Sequence, residues 1–158
     1  MNRFEPQFLR KAIAIAEANM ESLEGGPFGA VIVKDGEIIA TGNNKVTSAH
    51  DPSAHAEVVA IRNACKKLND FQLTGCELYS SCEPCPMCLG AIYWARLDRI
   101  YYAASREDAA HAGFDDSFIY QEIPHSPEKR SIVATQALQE EAVKVFKKWI
   151  HLADKTEY

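Results

Sequence analysis

Apolar positions recur with helical spacing along several stretches of this sequence and form short β-rich runs between them. The pattern predicts helices over residues 6–22, 53–68, 85–96 and 138–152, and strands over residues 30–33, 37–40, 77–80, 99–104 and 131–135. Lys34-Asp35-Gly36 between the first two strands predicts a tight hairpin, because Asp-Gly suits a two-residue turn. Strands that alternate with helices predict an α/β fold, a three-layer α/β/α sandwich in which helices cover both faces of a central sheet.

The composition is that of a globular chain of moderate size. Of its 158 residues, 47% are hydrophobic and 25% are charged, which suits one domain with a substantial core. We therefore expect a single domain over residues 1–158. The 17 basic and 22 acidic residues give a net charge of −5, which disfavours avid, non-specific binding to nucleic acid and favours a small neutral substrate.

The start of the chain lacks the uninterrupted apolar core of a signal peptide, and no apolar run approaches the length of a membrane span. We therefore expect a cytoplasmic protein that does not associate with a membrane. Cysteines are kept reduced in that compartment, so the five cysteines of this chain indicate metal binding or catalysis rather than disulfides.

Two short motifs carry the candidate chemistry. The first is His55-Ala56-Glu57 and the second is Pro84-Cys85-Pro86-Met87-Cys88. They offer one imidazole and two thiolates to a metal ion, and three protein ligands leave a tetrahedral zinc ion one open position for catalysis. The two motifs in this order are typical of zinc-dependent nucleobase deaminases, so the sequence predicts one zinc ion per chain.

The spacing of the motifs sets conditions on the local structure. Pro86 favours the first position of a helix, which places Cys85 at the cap and Cys88 in the first turn on the same side. Residues two apart inside a helix point about 200° away from each other. His55 and Glu57 can therefore serve one site only if His55 lies at the very beginning of its helix.

Glu57 is the candidate general acid and base. It would take a proton from the attacking water, protonate a ring nitrogen and later pass a proton to the departing ammonia. Cys82 leaves an alternative open, since Cys82, Cys85 and Cys88 with His55 could form a closed structural zinc site. Such a non-enzymatic binding module would give Glu57 no role, and we favour Cys82 as a small buried residue.

Longer segments resemble the bacterial guanine deaminases of the cytidine deaminase superfamily. The resemblance rests on residues 25–36, 54–57, 81–95 and 112–120 and on the terminal Glu157-Tyr158, and it covers nearly the whole chain. It implies a cytidine deaminase-like hydrolase fold and the conversion of guanine to xanthine and ammonia in purine catabolism or salvage. It also implies that zinc is ligated by His55, Cys85 and Cys88, because Cys82 matches a position that is not a ligand.

The same resemblance implies a set of substrate contacts. Phe28 would stack on the purine, Asn44 would hydrogen-bond to it, and Asp116 and Tyr158 would contribute to the substrate end of the pocket. Ala56 and Trp94 complete the predicted contact set. The resemblance further implies a homodimer in which the C-terminal segment is swapped onto the partner, so that the final Tyr closes the partner's pocket.

Other deaminases share the zinc motif and remain as alternatives. A tRNA adenosine deaminase, which converts adenosine to inosine, would need a basic surface around its pocket, and the acidic balance and the terminal Tyr weigh against it. A cytosine deaminase fits the sequence less well.

Overall fold

A four-stranded mixed sheet organises the first part of the protein in the computed structural model, which describes residues 4–158. The strands lie in the order β2-β1-β3-β4. Strand β1 is antiparallel to β2 and β3, whereas β3 is parallel to β4. Their bounds are β1 Gly29–Lys34, β2 Glu37–Asn43, β3 Cys76–Cys82 and β4 Arg99–Ala104.

Helices follow or precede these strands in the order that the alternating pattern predicts. Proline occupies the first turn of two of them, where its missing N–H costs nothing. The helices are α1 Pro6–Ser22, α2 Ala56–Leu68, α3 Pro86–Trp94, α4 Arg106–His111, α5 Ser117–Glu122 and α6 Gln139–Ile150.

Both faces of the sheet are packed. On one face, Phe8 and Ala12 of α1 lie against Val31, Val33 and Tyr79. The other face belongs to α2 and α3, and its core consists mainly of Ala56, Ala60, Ala64, Ile92, Ala30, Ile32 and Leu78. Since β1 and β3 are covered on both sides, nearly every residue of these two strands is buried. The prediction of a three-layer α/β/α sandwich is confirmed.

The predicted hairpin between β1 and β2 is confirmed in detail. Lys34 pairs with Glu37, which leaves Asp35 and Gly36 as the two turn residues. Both have positive φ, 50° and 79°, as a two-residue hairpin turn of the Asp-Gly type requires.

Three features of the secondary structure differ from the sequence prediction. Residues 131–135 form no strand: Ile132 and Val133 are 85% and 65% exposed, and no strand within residues 4–158 pairs with them. Helix α2 begins three residues later than predicted. Helices α4 and α5 were not predicted, although Ser105 and Asp108 form a capping box that marks the start of α4.

The chain divides into two compact units, one that ends at Asp116 and one over Ser117–Tyr158. The first contains the sheet and α1 to α4. The second contains α5, a 3-10 turn at Pro127–Lys129 and α6. That residues 1–158 behave as one domain remains a prediction. Across the helices of residues 4–158, none combines the length and apolar character that a bilayer crossing demands.

Candidate metal and active site

His55 lies immediately before the first turn of α2. It is the N-cap residue, with extended backbone angles, and Ala56 is the first helical residue. The backbone N–H of Lys45 donates to the Ala54 carbonyl at 2.9 Å, which ties the segment before α2 to the end of β2. This placement meets the condition that the spacing imposed, because the chain turns at His55 and lets His55 and Glu57 approach the same point.

Cys85 and Cys88 occupy the start of α3 in the same way. Cys85 is the N-cap residue, Pro86 is the first helical residue and Cys88 lies in the first turn. The predicted geometry of this motif is therefore confirmed. Two helix N-termini, those of α2 and α3, deliver the three candidate ligands, and their dipoles favour negatively charged thiolates.

The ligand atoms of His55, Cys85 and Cys88 all lie within 4.8 Å of one another. His55 Nδ1 is 3.6 Å from Cys85 Sγ and 3.5 Å from Cys88 Sγ. A tetrahedral zinc ion, with bonds of about 2.3 Å to sulfur and about 2.0 Å to nitrogen, separates such ligands by about 3.5 Å. The donor set and its spacing therefore fit zinc.

The protonation of the two thiols points to the same conclusion. Hydrogen bonds that Cys85 accepts from Cys88 and from the His55 ring lower the pKa of Cys85 to about 4, although burial opposes this. The hydrogen bond to Cys85, followed by burial, raises the pKa of Cys88. One thiolate thus forms at the expense of the other, and a divalent cation stabilises both at once.

Glu57 is buried beside this cluster, with only 5% of its surface exposed. Its Oε2 lies 3.4 Å from Cys88 Sγ, and its Oε1 accepts a hydrogen bond from the Ser80 hydroxyl at 3.2 Å. Burial is the main cause that raises the pKa of Glu57, and the negative charge of Cys85 adds to it. A carboxyl group in such surroundings is suited to accept and return a proton.

Cys82 lies near the cluster but outside it. Its thiol donates to the Ser105 carbonyl at 3.5 Å, and within residues 4–158 it does not join the group of ligand atoms that could hold a metal. Burial raises its pKa to about 11, and the negative charge of Glu57 contributes. These properties are those of a neutral thiol that donates a hydrogen bond.

Asn44 follows β2 and is fixed by backbone groups. The N–H groups of Gly26 and Val46 donate to its Oδ1 at 3.3 and 3.2 Å, and its own N–H donates to the Phe28 carbonyl at 3.2 Å. Gly25 is required here, since a Cβ on it would lie 2.2 Å from the Asn44 carbonyl oxygen. The amide orientation is thereby set, and its Nδ2 is directed away from these peptides.

Phe28 and Asp116 lie in the same unit as the metal cluster. The Phe28 ring is half-buried and packs edge-to-face against Phe114, with centroids 4.9 Å apart. Asp116 is also half-buried, and burial followed by the negative charge of Cys85 raises its pKa. Asp116 therefore lies within electrostatic range of the Cys85 thiolate.

The other predicted substrate contacts have different surroundings. Ala56 is fully buried at the start of α2, and Trp94, the last residue of α3, is 64% exposed. Tyr158 belongs to the second unit and is 72% exposed.

Two polar residues of this region were not singled out from the sequence. Ser80 continues the buried face of β3 two residues after Leu78, where an apolar residue is the rule. Asn19 likewise continues the apolar stripe of Phe8, Ala12 and Ala16 on α1. A buried polar residue on an apolar face is the signal that could have found both, because such a group needs hydrogen-bond partners.

Comparisons with known proteins agree with this geometry. Residues 3–104 match the family model of the cytidine and deoxycytidylate deaminase zinc-binding region. Guanine deaminase of Bacillus subtilis is 57% identical over 151 residues, which cover 96% of this chain and 97% of that protein. A crystal structure of the B. subtilis enzyme superposes with a TM-score of 0.95 at 56% identity, covering 100% of this chain and 99% of the other.

Similarity to other deaminases is less extensive. A tRNA-specific adenosine deaminase of Aquifex aeolicus is 44% identical over 106 residues, which cover 67% of this chain and 68% of that protein. A guanine deaminase from Nitrosomonas europaea matches with a TM-score of 0.68 at 28% identity, covering 96% of this chain and 87% of the other.

Proposed function

This chain belongs to the cytidine and deoxycytidylate deaminase family defined by its zinc-binding region, and on that premise we propose that it hydrolyses guanine to xanthine and ammonia. The observation that carries the proposal is the convergence of His55, Cys85 and Cys88 on one point beside the buried carboxylate of Glu57. The likeness to guanine deaminase extends over nearly the whole chain, whereas the likeness to tRNA-specific adenosine deaminases covers about two thirds.

We assign the zinc ion to His55 Nδ1, Cys85 Sγ and Cys88 Sγ. Two thiolates and a neutral imidazole give the zinc site a net formal charge of zero, whereas three thiolates would give −1, so the ion keeps more Lewis acidity. A zinc ion in such a site supplies Lewis-acid chemistry that makes water nucleophilic near neutral pH. The start of α2 and the start of α3 hold the ligands in place without any contribution from Cys82.

Glu57 carries the proton transfers in this proposal. Its Oε2 faces the metal cluster at Cys88, so this oxygen is the one that takes the proton of the attacking water. It then delivers that proton to a ring nitrogen of guanine and later assists the departure of ammonia. Burial keeps the carboxyl group away from bulk water, which suits a group that must both gain and lose a proton near neutral pH.

Recognition of the base falls to groups around β1 and β2. Phe28 offers an aromatic ring on which a purine can stack, and Phe114 supports that ring from its edge. The fixed amide of Asn44 presents Nδ2 as a donor, which suits an acceptor on the purine edge. Asp116 complements these contacts with a carboxyl group, and Ala56 and Trp94 complete the assigned set.

We also infer a homodimer that exchanges its C-terminal segments. Helix α6 has an apolar side whose members are exposed, with Phe146 67% and Ile150 62% exposed. An apolar helix face of this kind is stabilised when another surface covers it. In the proposed dimer, α6 packs on the partner and Tyr158 completes the partner's pocket, which makes the exchange a low-cost route to assembly.

A tRNA adenosine deaminase is the second candidate, because related enzymes share the zinc motif and match this chain at 44% identity. A phosphate backbone requires basic contacts, and the net charge of −5 disfavours them. We therefore propose that the free base, and not nucleic acid, is the substrate. We also propose that the reaction takes place in the cytoplasm, where the five free cysteines would stay reduced.

The deciding experiment supplies the purified zinc-loaded protein with guanine, with tRNA and with cytosine in parallel, and follows ammonia and the base products by chromatography. Guanine should be converted to xanthine far faster than either alternative is deaminated. Inosine in the tRNA, with guanine left intact, would overturn the assignment.

A further inference from the structure

We propose that Ser80 is a positioning residue for the reaction: its hydroxyl holds one oxygen of the Glu57 carboxylate, so that the other oxygen faces the substrate and the metal cluster. This inference rests on the proposed function for the reaction itself, although the interaction between the two side chains is a property of the fold. Within residues 4–158, the Ser80 side chain forms hydrogen bonds with Glu57 and with the backbone N–H of Cys82. Among these residues it forms none with a metal ligand or with a predicted substrate contact.

The geometry separates the two carboxylate oxygens. Oε1 accepts the hydrogen bond of the Ser80 hydroxyl at 3.2 Å, while Oε2 lies 3.4 Å from Cys88 Sγ. The exposed fraction is 2% for Ser80 and 5% for Glu57, so water does not compete for Oε1. Because the Ser80 hydroxyl donates to Oε1, a rotation of the Glu57 carboxylate that exchanged Oε1 and Oε2 would break this buried hydrogen bond. The hydrogen bond therefore favours one orientation of the carboxylate.

The direction of the Ser80 hydroxyl is itself constrained. The backbone N–H of Cys82 lies 3.5 Å from Ser80 Oγ and donates to it, so the hydroxyl proton is left to point to Glu57. Ser80 also stands in the middle of the sheet, where its backbone pairs with Ala30 on one side and with Tyr102 on the other. A donor on a rigid central strand holds its acceptor more accurately than a donor on a loop.

The neighbouring serine shows that the role is specific to this position. Ser81 belongs to the opposite face of β3, and its Oγ accepts from the backbone N–H of Gly29 at 3.0 Å. It therefore supports the sheet rather than the proton-transfer group. Substitution of Ser81 should disturb the start of β1 at Gly29, next to Phe28. Substitution of Ser80 should instead act through Glu57.

A positioning role predicts a particular kinetic signature. The orientation of Glu57 matters for proton transfer and not for the binding of guanine, so loss of the Ser80 hydroxyl should lower kcat and leave KM nearly unchanged. A hydrogen bond to a charged group contributes about 1.5–3 kcal/mol, which corresponds to about a 10- to 100-fold change in kcat if it is fully expressed in the transition state.

The test compares Ser80→Thr with Ser80→Val. These side chains have nearly the same shape, so the effect of an added methyl group in the buried site is common to both, and only the hydroxyl differs. We expect the kcat of Ser80→Thr to stay within about threefold of the wild-type value. The kcat of Ser80→Val should fall by about 10- to 100-fold, with zinc content retained. In the Glu57→Gln background the two substitutions should differ by less than about twofold.

Equal losses for Thr and Val would overturn the inference, as would a difference between Thr and Val that persists unchanged in the Glu57→Gln background. A loss that appears in KM rather than kcat would also contradict it. A Ser80→Val protein that does not fold is replaced by Ser80→Ala, which removes the hydroxyl without adding volume.

A readout that needs no activity completes the test. The thermal midpoint of Ser80→Thr should exceed that of Ser80→Val by about 3–12 °C, and this advantage should vanish in the Glu57→Ala background. A wild-type protein that leaves guanine unchanged would refute the proposed substrate, and the thermal comparison would still decide whether Ser80 holds Glu57. Absence of the midpoint difference would then overturn the inference by itself.

Discussion

Gly42 of β2 and Ala56 of α2 approach so closely that a Cβ atom on Gly42 would lie 2.1 Å from the Ala56 carbonyl oxygen. The same Cβ would lie 2.4 Å from the backbone nitrogen of Ala60. Because His55 immediately precedes Ala56, this contact sets how deeply the first turn of α2, with its metal ligand and Glu57, sits on the sheet.

Gly42→Ala should therefore displace the start of α2. We expect a loss of about 1–3 kcal/mol in the free energy of unfolding, the usual cost of overpacking, together with weaker zinc binding. Urea unfolding and metal analysis of the purified variant measure the two effects. Gly90→Ala in α3 is the matched control, since a Cβ there meets no atom within 4 Å. It should leave zinc binding unchanged and raise the free energy of unfolding by about 0.5–1 kcal/mol, because alanine favours a helix interior more than glycine does. Normal zinc affinity in Gly42→Ala would contradict the prediction.

Removal of a metal ligand should remove the metal. Cys85→Ser and Cys88→Ser should each lose most of the zinc, because a neutral hydroxyl replaces a thiolate at a site whose ligand atoms already match the required spacing. Cys82→Ser should retain zinc, since its thiol donates to Ser105. Elemental analysis of the three proteins provides the measurement. Zinc loss from the Cys82 variant would support a closed structural site.

Glu57→Gln should separate binding of the metal from chemistry. The variant should retain zinc and the fold but lose roughly 10²–10⁴ in rate, which is the scale of a general acid–base contribution. Steady-state kinetics with guanine, alongside circular dichroism and metal analysis, tests this. Near-normal turnover would exclude Glu57 from the proton transfers.

Asn19 should matter for substrate binding although it lies on α1. Its Nδ2 donates to the carbonyls of Gly26 and Asn44 at 2.8 and 2.9 Å, and its Oδ1 accepts from Asn43 at 2.6 Å. Asn19→Ala removes three hydrogen bonds that hold the segment on either side of Phe28 and Asn44. We expect KM for guanine to rise about tenfold, equivalent to about 1.4 kcal/mol, with a smaller change in kcat.

The control for Asn19 is Asn63→Ala, which removes one exposed hydrogen bond to the Thr41 carbonyl. It should leave KM unchanged within about twofold, because exposed groups find water as a partner. If both alanine variants behave alike in steady-state kinetics, Asn19 has no special influence on the base-binding segment.

Deletion of Glu157 and Tyr158 should lower guanine turnover sharply and leave zinc in place. The proposed role of Tyr158 is to close a pocket, so its removal admits water and removes a substrate contact without touching the ligands. Kinetics and metal analysis of the truncated protein measure both effects. Unchanged turnover would eliminate the closing role.

The exchange of C-terminal segments needs its own experiment. A truncated chain has an intact zinc site but no Tyr158, and a Glu57→Gln chain has Tyr158 but an impaired site. When the two are mixed and subunits exchange, activity should reappear, because the Glu57→Gln chain supplies Tyr158 to the truncated chain's pocket. Heterodimers verified by mass that remain inactive would indicate that each chain closes its own pocket.

The sequence predicted the metal cluster well because its information is local. The proline in Cys85-Pro86-Met87-Cys88 fixes a helix start, and helix geometry then brings the two sulfurs to one side. The need for His55 to lie at a helix start followed from the angle between residues two apart, and the structure meets it. The sheet was equally accessible, because Asp35-Gly36 marks a hairpin and strands alternate with helices.

What the sequence did not reveal depends on contacts between distant segments. Ser80 gains its importance only from Glu57, 23 positions earlier, and Asn19 only from Asn44, 25 positions later. The reverse error arose at Ile132 and Val133, whose β propensity predicted a strand that has no neighbour to pair with. Propensity describes the segment itself. The hydrogen bonds of Ser80 and Asn19 and the missing strand at Ile132 and Val133 depend instead on which distant segments lie next to them.

The division of the ligands between two helix starts affects how the metal stabilises the protein. Cys85 and Cys88 lie close together in sequence and can chelate zinc in the unfolded chain, whereas His55 lies 30 positions before Cys85 and meets them where the starts of α2 and α3 come together in the fold. A ligand that also binds the unfolded state stabilises the native state only by the difference between the two affinities. Zinc bound to the cysteine pair alone would stabilise the unfolded chain as well. The net stabilisation of the native state by zinc therefore comes from the additional bond to His55.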